Sequence, residues 1–342
     1  MSTSLRVSRY MFLIMSFLFM WGIYSGNYDN GDFFYYEQDF SFGIERFEDL
    51  HIEPLFALLN DWGKNYLGCS SYLEFKTIFS FVFMIPYWYT INKWSESAAL
   101  TLCFFIPIFL LQVIIVRNFI GFSIVQLTLP LLIQPSRKNL ILFAGVVLIA
   151  QGVHNMMFMY LLAYLSIFKL KIFNSPFKYF IMCLLGGVIM GGILMDQLAA
   201  INTSKYNGVI DLGTNVLRMA IGVFLIINYY VLRYIKNTTI DSANERVCLF
   251  ENFVLRLNLI FMALIVTFVM SMVSSRIFIN LLLLNMIFVA NRLYRSYKTD
   301  NQFCIMTIPY VCFWIWYVVF IVISGQLDDV IGSNYFVNYL FN

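Results

Sequence analysis

The chain has 342 residues and a formal net charge of +3; 61% of the residues are apolar, 19% aromatic and only 12% charged. Soluble domains carry roughly 25% charged residues, so this composition excludes a water-soluble globule, and the small net charge does not indicate a nucleic-acid partner. Only a lipid bilayer can cover so much apolar surface on a chain of this size, and we therefore predict an all-α, polytopic integral membrane protein.

Apolar runs long enough to cross a bilayer follow one another along the chain, and they predict about eleven transmembrane helices, within a range of about 10 to 12, in a single transmembrane domain, residues 1–342. The stretch from Leu140 to Phe168 fits either two short spans or one long helix. The predicted spans are Tyr10–Tyr24, Tyr72–Ile91, Ala98–Val116, Asn118–Ile133, Leu140–Gly152, Asn155–Phe168, Phe177–Met195, Val216–Tyr234, Val247–Met270, Ile277–Asn291 and Phe303–Ser324.

The lysines and arginines predict the orientation, because short loops that carry them stay on the cytoplasmic side of the membrane. Most of them fall on one side when Leu140–Phe168 crosses twice, with the N-terminus inside and the C-terminus outside. Two segments are too polar to span the membrane, residues 25–67 and 196–215, and this model places both outside.

The first outer loop, residues 25–67, is acidic and aromatic, and Pro54 begins a short amphipathic helix in it. Its carboxylates are candidate general bases, although any single one is more often a solvated surface charge. Its aromatic rings could stack on sugars or lie at the membrane interface. The candidate bases are Asp32, Glu37 and Glu53, and the candidate sugar-binding residues are Tyr35, Tyr36 and Trp62.

Four arginines run against the positive-inside pattern, because the predicted spans place them outside or within membrane helices: Arg117, Arg218, Arg256 and Arg276. One interpretation is that they anchor helices or pair with acidic neighbours. The other is that they bind an anion, since a guanidinium group matches the geometry of a phosphate.

His154 lies at the outer end of a short apolar helix, where it is either a packing residue, a proton carrier or a hydrogen-bond donor to phosphate. The other histidine is far away in the sequence, and the six cysteines show no metal-binding spacing. No phosphate-binding loop, nucleophile elbow or dinucleotide fingerprint is present. We therefore predict no metal and no cofactor.

Several short motifs resemble those of EpsG-type proteins, in the same order and with similar spacing. Asn30–Phe40 resembles the Asp- and Tyr-containing motif in the first loop of that family, and Glu53–Phe56 resembles the Glu-Pro element that follows it. Val116–Ser123 is similar to the family's Arg-containing turn between helices, and Gly152–Asn155 to its His-containing element. Ser275–Phe278 is a weaker match to a later Arg-aromatic element.

This resemblance implies a Wzy-type polysaccharide polymerase of the bacterial inner membrane, with its active site on the periplasmic face. The implied substrates are undecaprenyl-diphosphate-linked oligosaccharides, whose nascent glycan is transferred to a non-reducing-end hydroxyl of an incoming repeat unit. We expect the four arginines to bind the diphosphate, and Asp32, Glu37, Glu53 and His154 to be the catalytic candidates. Whether a chain-length regulator also binds is open.

Two other classes of protein remain as alternatives. A flippase or other transporter of lipid-linked oligosaccharides would show inverted repeats and charges at the midplane of the membrane, whereas these charges cluster near the outer edge. The second alternative is a membrane glycosyltransferase or acyltransferase that decorates a glycan. An acyltransferase would need a catalytic histidine, and His154 is the one residue that supports it.

Overall fold

The computed structural model describes residues 3–28, 32–42, 53–113, 115–168, 171–183, 185, 212–242, 244–264, 275–299, 305–321 and 334–337. Over these ranges the regular structure is helical, apart from one isolated β-bridge between Asn27 and Asn334. The described part of the chain is therefore all-α, as predicted. Of the second polar segment, residues 196–215, all but the last four lie outside the described residues, and those four begin a helix.

Eleven α-helices are labelled here in chain order. They are α1 (Thr3–Gly26), α2 (Phe33–Phe42), α3 (Pro54–Asn65), α4 (Tyr72–Trp94), α5 (Ala98–Phe109), α6 (Val116–Gln126), α7 (Arg137–Val153), α8 (Leu212–Thr238), α9 (Glu245–Phe261), α10 (Ser275–Lys298) and α11 (Thr307–Ile321). A long 3₁₀-helix, Asn155–Ile167, follows α7, shorter 3₁₀ turns extend α5, α6 and α9, and residues 176–183 are also helical.

Three helical stretches within these ranges are long and apolar enough to cross a membrane by length and composition: Val7–Gly26, Glu245–Leu264 and Arg276–Lys298. Several other predicted spans are shorter helices or are interrupted. The predicted spans Ala98–Val116 and Asn118–Ile133, for example, are each an α-helix followed by a 3₁₀ turn. The apolar helices identify a membrane protein, whereas the number of about eleven crossings stays a prediction.

The helices α1 and α4 run in opposite directions, and their contacts define the two ends of the bundle. Near the start of α1, Arg9 donates hydrogen bonds to the carbonyls of Asn92 and Ser95, at the end of α4. Beyond the end of α1, the carbonyl of Asn27 accepts one from Lys76 in the first turns of α4. We call the end that holds Asn27 the Arg117 end, and the opposite end the Arg292 end, after an arginine found at each.

The ambiguous stretch from Leu140 to Phe168 forms two antiparallel segments. The chain turns at His154, and the Tyr164 hydroxyl donates a hydrogen bond back to the Leu140 carbonyl near the start of α7. A 3₁₀-helix rises about 2.0 Å per residue, so the 13 residues of Asn155–Ile167 extend about 26 Å, close to the thickness of a bilayer core. The structure thus has two short segments here rather than one long helix.

Asparagine side chains join α10 to its neighbours at successive levels through an otherwise apolar core. Asn280 exchanges hydrogen bonds with Asn118 of α6 (2.9 and 3.1 Å), and Asn285 exchanges them with Asn258 of α9 (2.7 and 3.1 Å). Nearer the Arg292 end, Asn291 donates to the Trp94 carbonyl. Because a buried amide must find a partner, these pairs determine which helix faces contact α10.

The Arg292 end contains an ion cluster that differs from the sequence-based expectation. The predicted span ended at Asn291, whereas α10 continues to Lys298 and buries Arg292 and Arg295. The Glu251 carboxylate of α9 pairs with both arginines (2.6 Å each). Arg292 also pairs with Asp241, and Arg295 with Glu96 (2.7 Å each). The distribution of charges along the sequence did not predict this cluster, because its acidic residues come from three other segments of the chain.

Candidate active site at the Arg117 end

Glu53 is the N-cap residue of α3, but its carboxylate does not cap that helix. Pro54 occupies the first turn, where its missing N–H costs nothing, and it keeps the backbone of Glu53 extended. The Glu53 side chain makes no capping hydrogen bond and is instead buried against α6 and α7. The local sequence therefore leaves this carboxylate available for partners elsewhere in the chain.

The Glu53 carboxylate bridges Arg117 and His154. Its Oε2 lies 2.6 Å from Arg117 Nη1, its Oε1 lies 3.1 Å from His154 Nδ1, and Oε1 also accepts from the Asn155 backbone N–H at 3.3 Å. A Cβ on Gly152 would lie only 3.0 Å from Leu55 Cβ, so a glycine there allows α3 to approach the end of α7 closely. That approach brings Glu53 to His154.

Two aromatic rings enclose the Arg117 guanidinium on the protein side. Its Cζ lies 5.2 Å from the ring centroid of Tyr36 and 5.7 Å from that of Phe56, within the range of cation–π contacts. The Arg117 side chain is still 25% exposed. The guanidinium is thus oriented by its neighbours and remains reachable from outside the protein.

Arg276 lies at the same end of the bundle as Arg117. It precedes Asn280 by one helical turn in α10, and Arg117 directly precedes Asn118, so the Asn118–Asn280 pair places the two arginines within about one helical turn of the same level. The positive charge of Arg276 lowers the pKa of both Tyr36 and His154. Asn118 and Asn280 were not among the predicted residues; an asparagine in an apolar helix is the sequence signal that could have identified them.

Burial and charge decide the ionisation of this cluster. Burial would raise the pKa of Glu53, but the hydrogen bond with His154 and the charge of Arg117 outweigh it and lower that pKa to about 2. Burial lowers the pKa of His154, and the pull of Glu53 in the other direction does not reverse this. Near pH 7 an ionised Glu53 therefore accepts a hydrogen bond from the Nδ1–H of a neutral imidazole.

Asp32 and Tyr36 complete the group. Asp32 is partly exposed just before α2, and Tyr36 is buried one turn later, with its backbone N–H bonded to the Asp32 carbonyl at 3.1 Å. Burial raises the pKa of Tyr36. The charges of Arg117 and Arg276 lower it, and that of Asp32 raises it, so all three charges are felt at the same hydroxyl. The structure thus brings together six predicted residues: Asp32, Tyr36, Glu53, Arg117, His154 and Arg276.

Arg256 does not belong to this group, although we predicted it to share the diphosphate site. Its Nη1 donates to the Ser166 carbonyl at 2.7 Å, and Ser166 lies 12 residues beyond His154, or about 24 Å along the 3₁₀-helix. Because its guanidinium binds that carbonyl, Arg256 lies well away from the His154 turn and the Arg117 end. Arg218 lies in α8, but its side chain is outside the described part of the structure.

Three predicted residues of the first outer loop show no contact with the cluster in the described structure. The Trp62 ring packs edge-on against Phe79 of α4, with centroids 5.9 Å apart, and its remaining surface is exposed. Tyr35 is exposed beside Phe34, and Glu37 is exposed on α2. Within the described ranges, no three His, Cys, Asp or Glu side chains converge in a way that could hold a metal ion.

The arrangement offers two arginines for an anion, one partly exposed carboxylate and a Glu–His pair, at one end of a helical membrane protein. A family model described as the EpsG family matches residues 10–341, essentially the whole chain. No curated protein and no solved structure matches the chain. On the family match and the helical membrane architecture together, the chain belongs to the EpsG family of Wzy-type polysaccharide polymerases.

Proposed function

We propose that this protein polymerises undecaprenyl-diphosphate-linked oligosaccharide repeat units at the periplasmic face of the bacterial inner membrane. The nascent glycan passes from its lipid diphosphate to a non-reducing-end hydroxyl of an incoming repeat unit. The observation that carries the proposal is the placement of Arg117 and Arg276 at the same end of the bundle, where their charges and that of Asp32 act on one side chain, Tyr36. Family membership supports a polymerase in general, and the donor, the face and the residue roles are our proposal.

The two arginines bind the diphosphate of the donor. As the bond between the anomeric carbon and the diphosphate oxygen breaks, negative charge develops on the leaving group. Fixed guanidinium donors in a partly dehydrated site stabilise such charge, and removal of one donor typically costs about 10²- to 10³-fold in rate. Arg117 is suited to this role because two rings orient it and a quarter of its side chain is exposed.

Asp32 accepts the proton from the attacking hydroxyl. Its carboxylate is partly exposed and acts electrostatically on Tyr36, whose ring packs against Arg117. Glu53, which we also considered as a base, is a poor one because its pKa of about 2 leaves little affinity for a proton. Its role is to position Arg117 and His154.

The proposal is tested by chain-length analysis of the polysaccharide on gels, in a strain whose own gene is deleted and which expresses variants of this protein. We expect Arg117→Ala and Asp32→Asn to leave single repeat units, with polymer reduced about 10²-fold or more. A strain that makes no surface glycan at all would indicate a transporter, and full-length chains that lack a modification would indicate a decorating enzyme.

Two matched variants control for general damage. Arg256→Ala removes an arginine whose group bonds to a carbonyl far from the cluster, and Asp61→Asn changes an acid of α3 that bonds to Asn65. Both are expected to give normal ladders at normal expression. Normal ladders from Arg117→Ala would remove Arg117 from the mechanism.

A further inference from the structure

Glu53 is the anion that Arg117 binds in this structure. The carboxylate Oε2 lies 2.6 Å from Arg117 Nη1, while the Arg117 side chain keeps 25% of its surface exposed. A guanidinium group has five N–H donors and binds carboxylate and phosphate with the same fork geometry. A phosphate that binds through the same guanidinium nitrogen would compete with Glu53 for this arginine.

One ring nitrogen of His154 has no hydrogen-bond partner among the residues that the structure describes. The residue is 6% exposed, its Nδ1 bonds to Glu53, and its Nε2 is buried with no hydrogen-bond partner in the described structure. A buried polar atom without a partner is costly and calls for an explanation. A ligand acceptor at Nε2 would remove that cost once the imidazole carries a second proton.

The charges around His154 explain why it is neutral without a ligand. Burial disfavours the imidazolium, Glu53 of α3 favours it, and Arg276 of α10 and Arg117 of α6 both oppose it. Arg117 is itself bound by Glu53, so the carboxylate divides its charge between two partners. An anion that binds both arginines would reduce their repulsion of a protonated His154. Glu53 would then interact with His154 alone.

We propose that Glu53 is an internal substitute for the substrate diphosphate, which displaces it from Arg117, and that His154 then takes up a proton and binds the same diphosphate through Nε2–H. This inference rests on the proposed function, because it assumes that Arg117 binds a diphosphate. Glu53 is a positioning residue whose partner changes on binding, from Arg117 and His154 together to His154 alone. The proton comes from solvent, and no covalent bond is made or broken.

The test uses the purified full chain in lipid nanodiscs, with inorganic pyrophosphate as the probe. Titration calorimetry near pH 7, in buffers with different ionisation enthalpies, measures both the affinity and the number of protons taken up. We expect the wild-type chain to bind pyrophosphate with net proton uptake. His154→Gln should keep the affinity within a few-fold and lose the uptake that belongs to His154.

Glu53→Gln gives the sharpest result. Without its carboxylate, Arg117 has no internal competitor, so pyrophosphate should bind roughly ten-fold more tightly, and the proton uptake should be lost because His154 no longer has its anionic neighbour. Glu53→Asp keeps the charge on a shorter side chain, so it should retain proton uptake with an intermediate affinity. Asp61→Asn, elsewhere on α3, should match the wild type in both measurements.

The outcomes separate this inference from the proposed function. If Glu53→Gln and Glu53→Asp both weaken pyrophosphate binding as much as Arg117→Ala does, Glu53 merely holds Arg117 in place, so the inference fails and the proposed function stands. Wild-type binding without proton uptake also overturns the inference. If Arg117→Ala leaves the affinity unchanged, Arg117 does not bind the anion and both proposals fail.

Discussion

Arg276 reaches the candidate site from the first turn of α10, where no described residue binds it as closely as Glu53 binds Arg117. We expect Arg276→Ala to reduce polymer about 10²- to 10³-fold, because one of two fixed donors to the leaving group is lost. Arg276→Lys should restore only part of the activity, because an ammonium group cannot make the bidentate contact. Incorporation of labelled repeat units into long chains measures both variants.

Arg246 provides the matched control for this pair, because it stacks on Trp94 at the Arg292 end, with its Cζ 4.7 Å from the ring centroid. Arg246→Ala should incorporate label normally. Full incorporation by Arg276→Ala would limit the anion site to Arg117.

Glu53 links the site to acid stability, because its partners lower its pKa from 4.5 to about 2. A carboxylate with a lowered pKa stabilises the folded state fully above its unfolded pKa, and this contribution is lost as the pH falls from about 4.5 towards 2. The contribution is about 3 kcal/mol. Glu53→Gln should therefore unfold at lower temperature than the wild type at pH 7, and the gap should narrow below pH 4.

Thermal unfolding in nanodiscs between pH 7 and pH 3 measures this gap. Glu37→Gln is the control, because Glu37 is exposed on α2, and its unfolding temperature should follow that of the wild type. A gap between wild type and Glu53→Gln that stays constant down to pH 3 would show that the ionised Glu53 does not stabilise the fold.

At the scale of elements, α9 and α10 are joined by the ion cluster at the Arg292 end. Glu251 has no exposed surface and pairs with two arginines, of which Arg292 also has none. We expect Glu251→Gln to lower the free energy of unfolding by about 3 to 5 kcal/mol, because both guanidinium groups lose their shared carboxylate in a buried site. Unfolding of purified protein in detergent, compared with the wild type, measures the loss.

Glu245→Gln tests whether burial is the cause. Glu245 lies in the first turn of the same helix and is exposed, so its replacement should change the free energy of unfolding by less than about 0.5 kcal/mol. Equal losses from the two variants would mean that the buried cluster contributes no more than a surface charge.

The elements also show how far sequence patterns reach. Hydropathy could not choose between one span and two over Leu140–Phe168, and the positive charges on either side favoured two. The structure agrees, with a turn at His154 and a bond from Tyr164 to Leu140. That the second segment is a 3₁₀-helix could not be predicted, because its apolar residues suit either kind of helix and tertiary packing selects between them.

At the scale of the molecule, the two ends should face opposite sides of the membrane. The bridge from Asn334 to Asn27 places residues 334–337 at the Arg117 end, opposite the start of α1.

In a chain whose six native cysteines are replaced, we expect an impermeant thiol reagent to label Glu37→Cys in intact cells. Lys138→Cys should react only after the cells are permeabilised, because the predicted orientation places its end of the bundle in the cytoplasm. The reverse labelling pattern would show that the orientation is inverted and that Arg117 and Arg276 face the cytoplasm.

The amino-acid sequence by itself determined the class of this protein and the order of its motifs, because apolar composition and run length act locally and do not depend on which helices meet. It also identified six of the residues at the Arg117 end. Only the tertiary structure decided their partners: Glu53 joins Arg117 and His154 across 64 and 101 residues of chain, while Arg256 is held at a distant carbonyl. The physical reason is that an ion pair depends on which helix ends come together, and in this bundle close packing at Gly152 and matched asparagines on α6 and α10 make that selection.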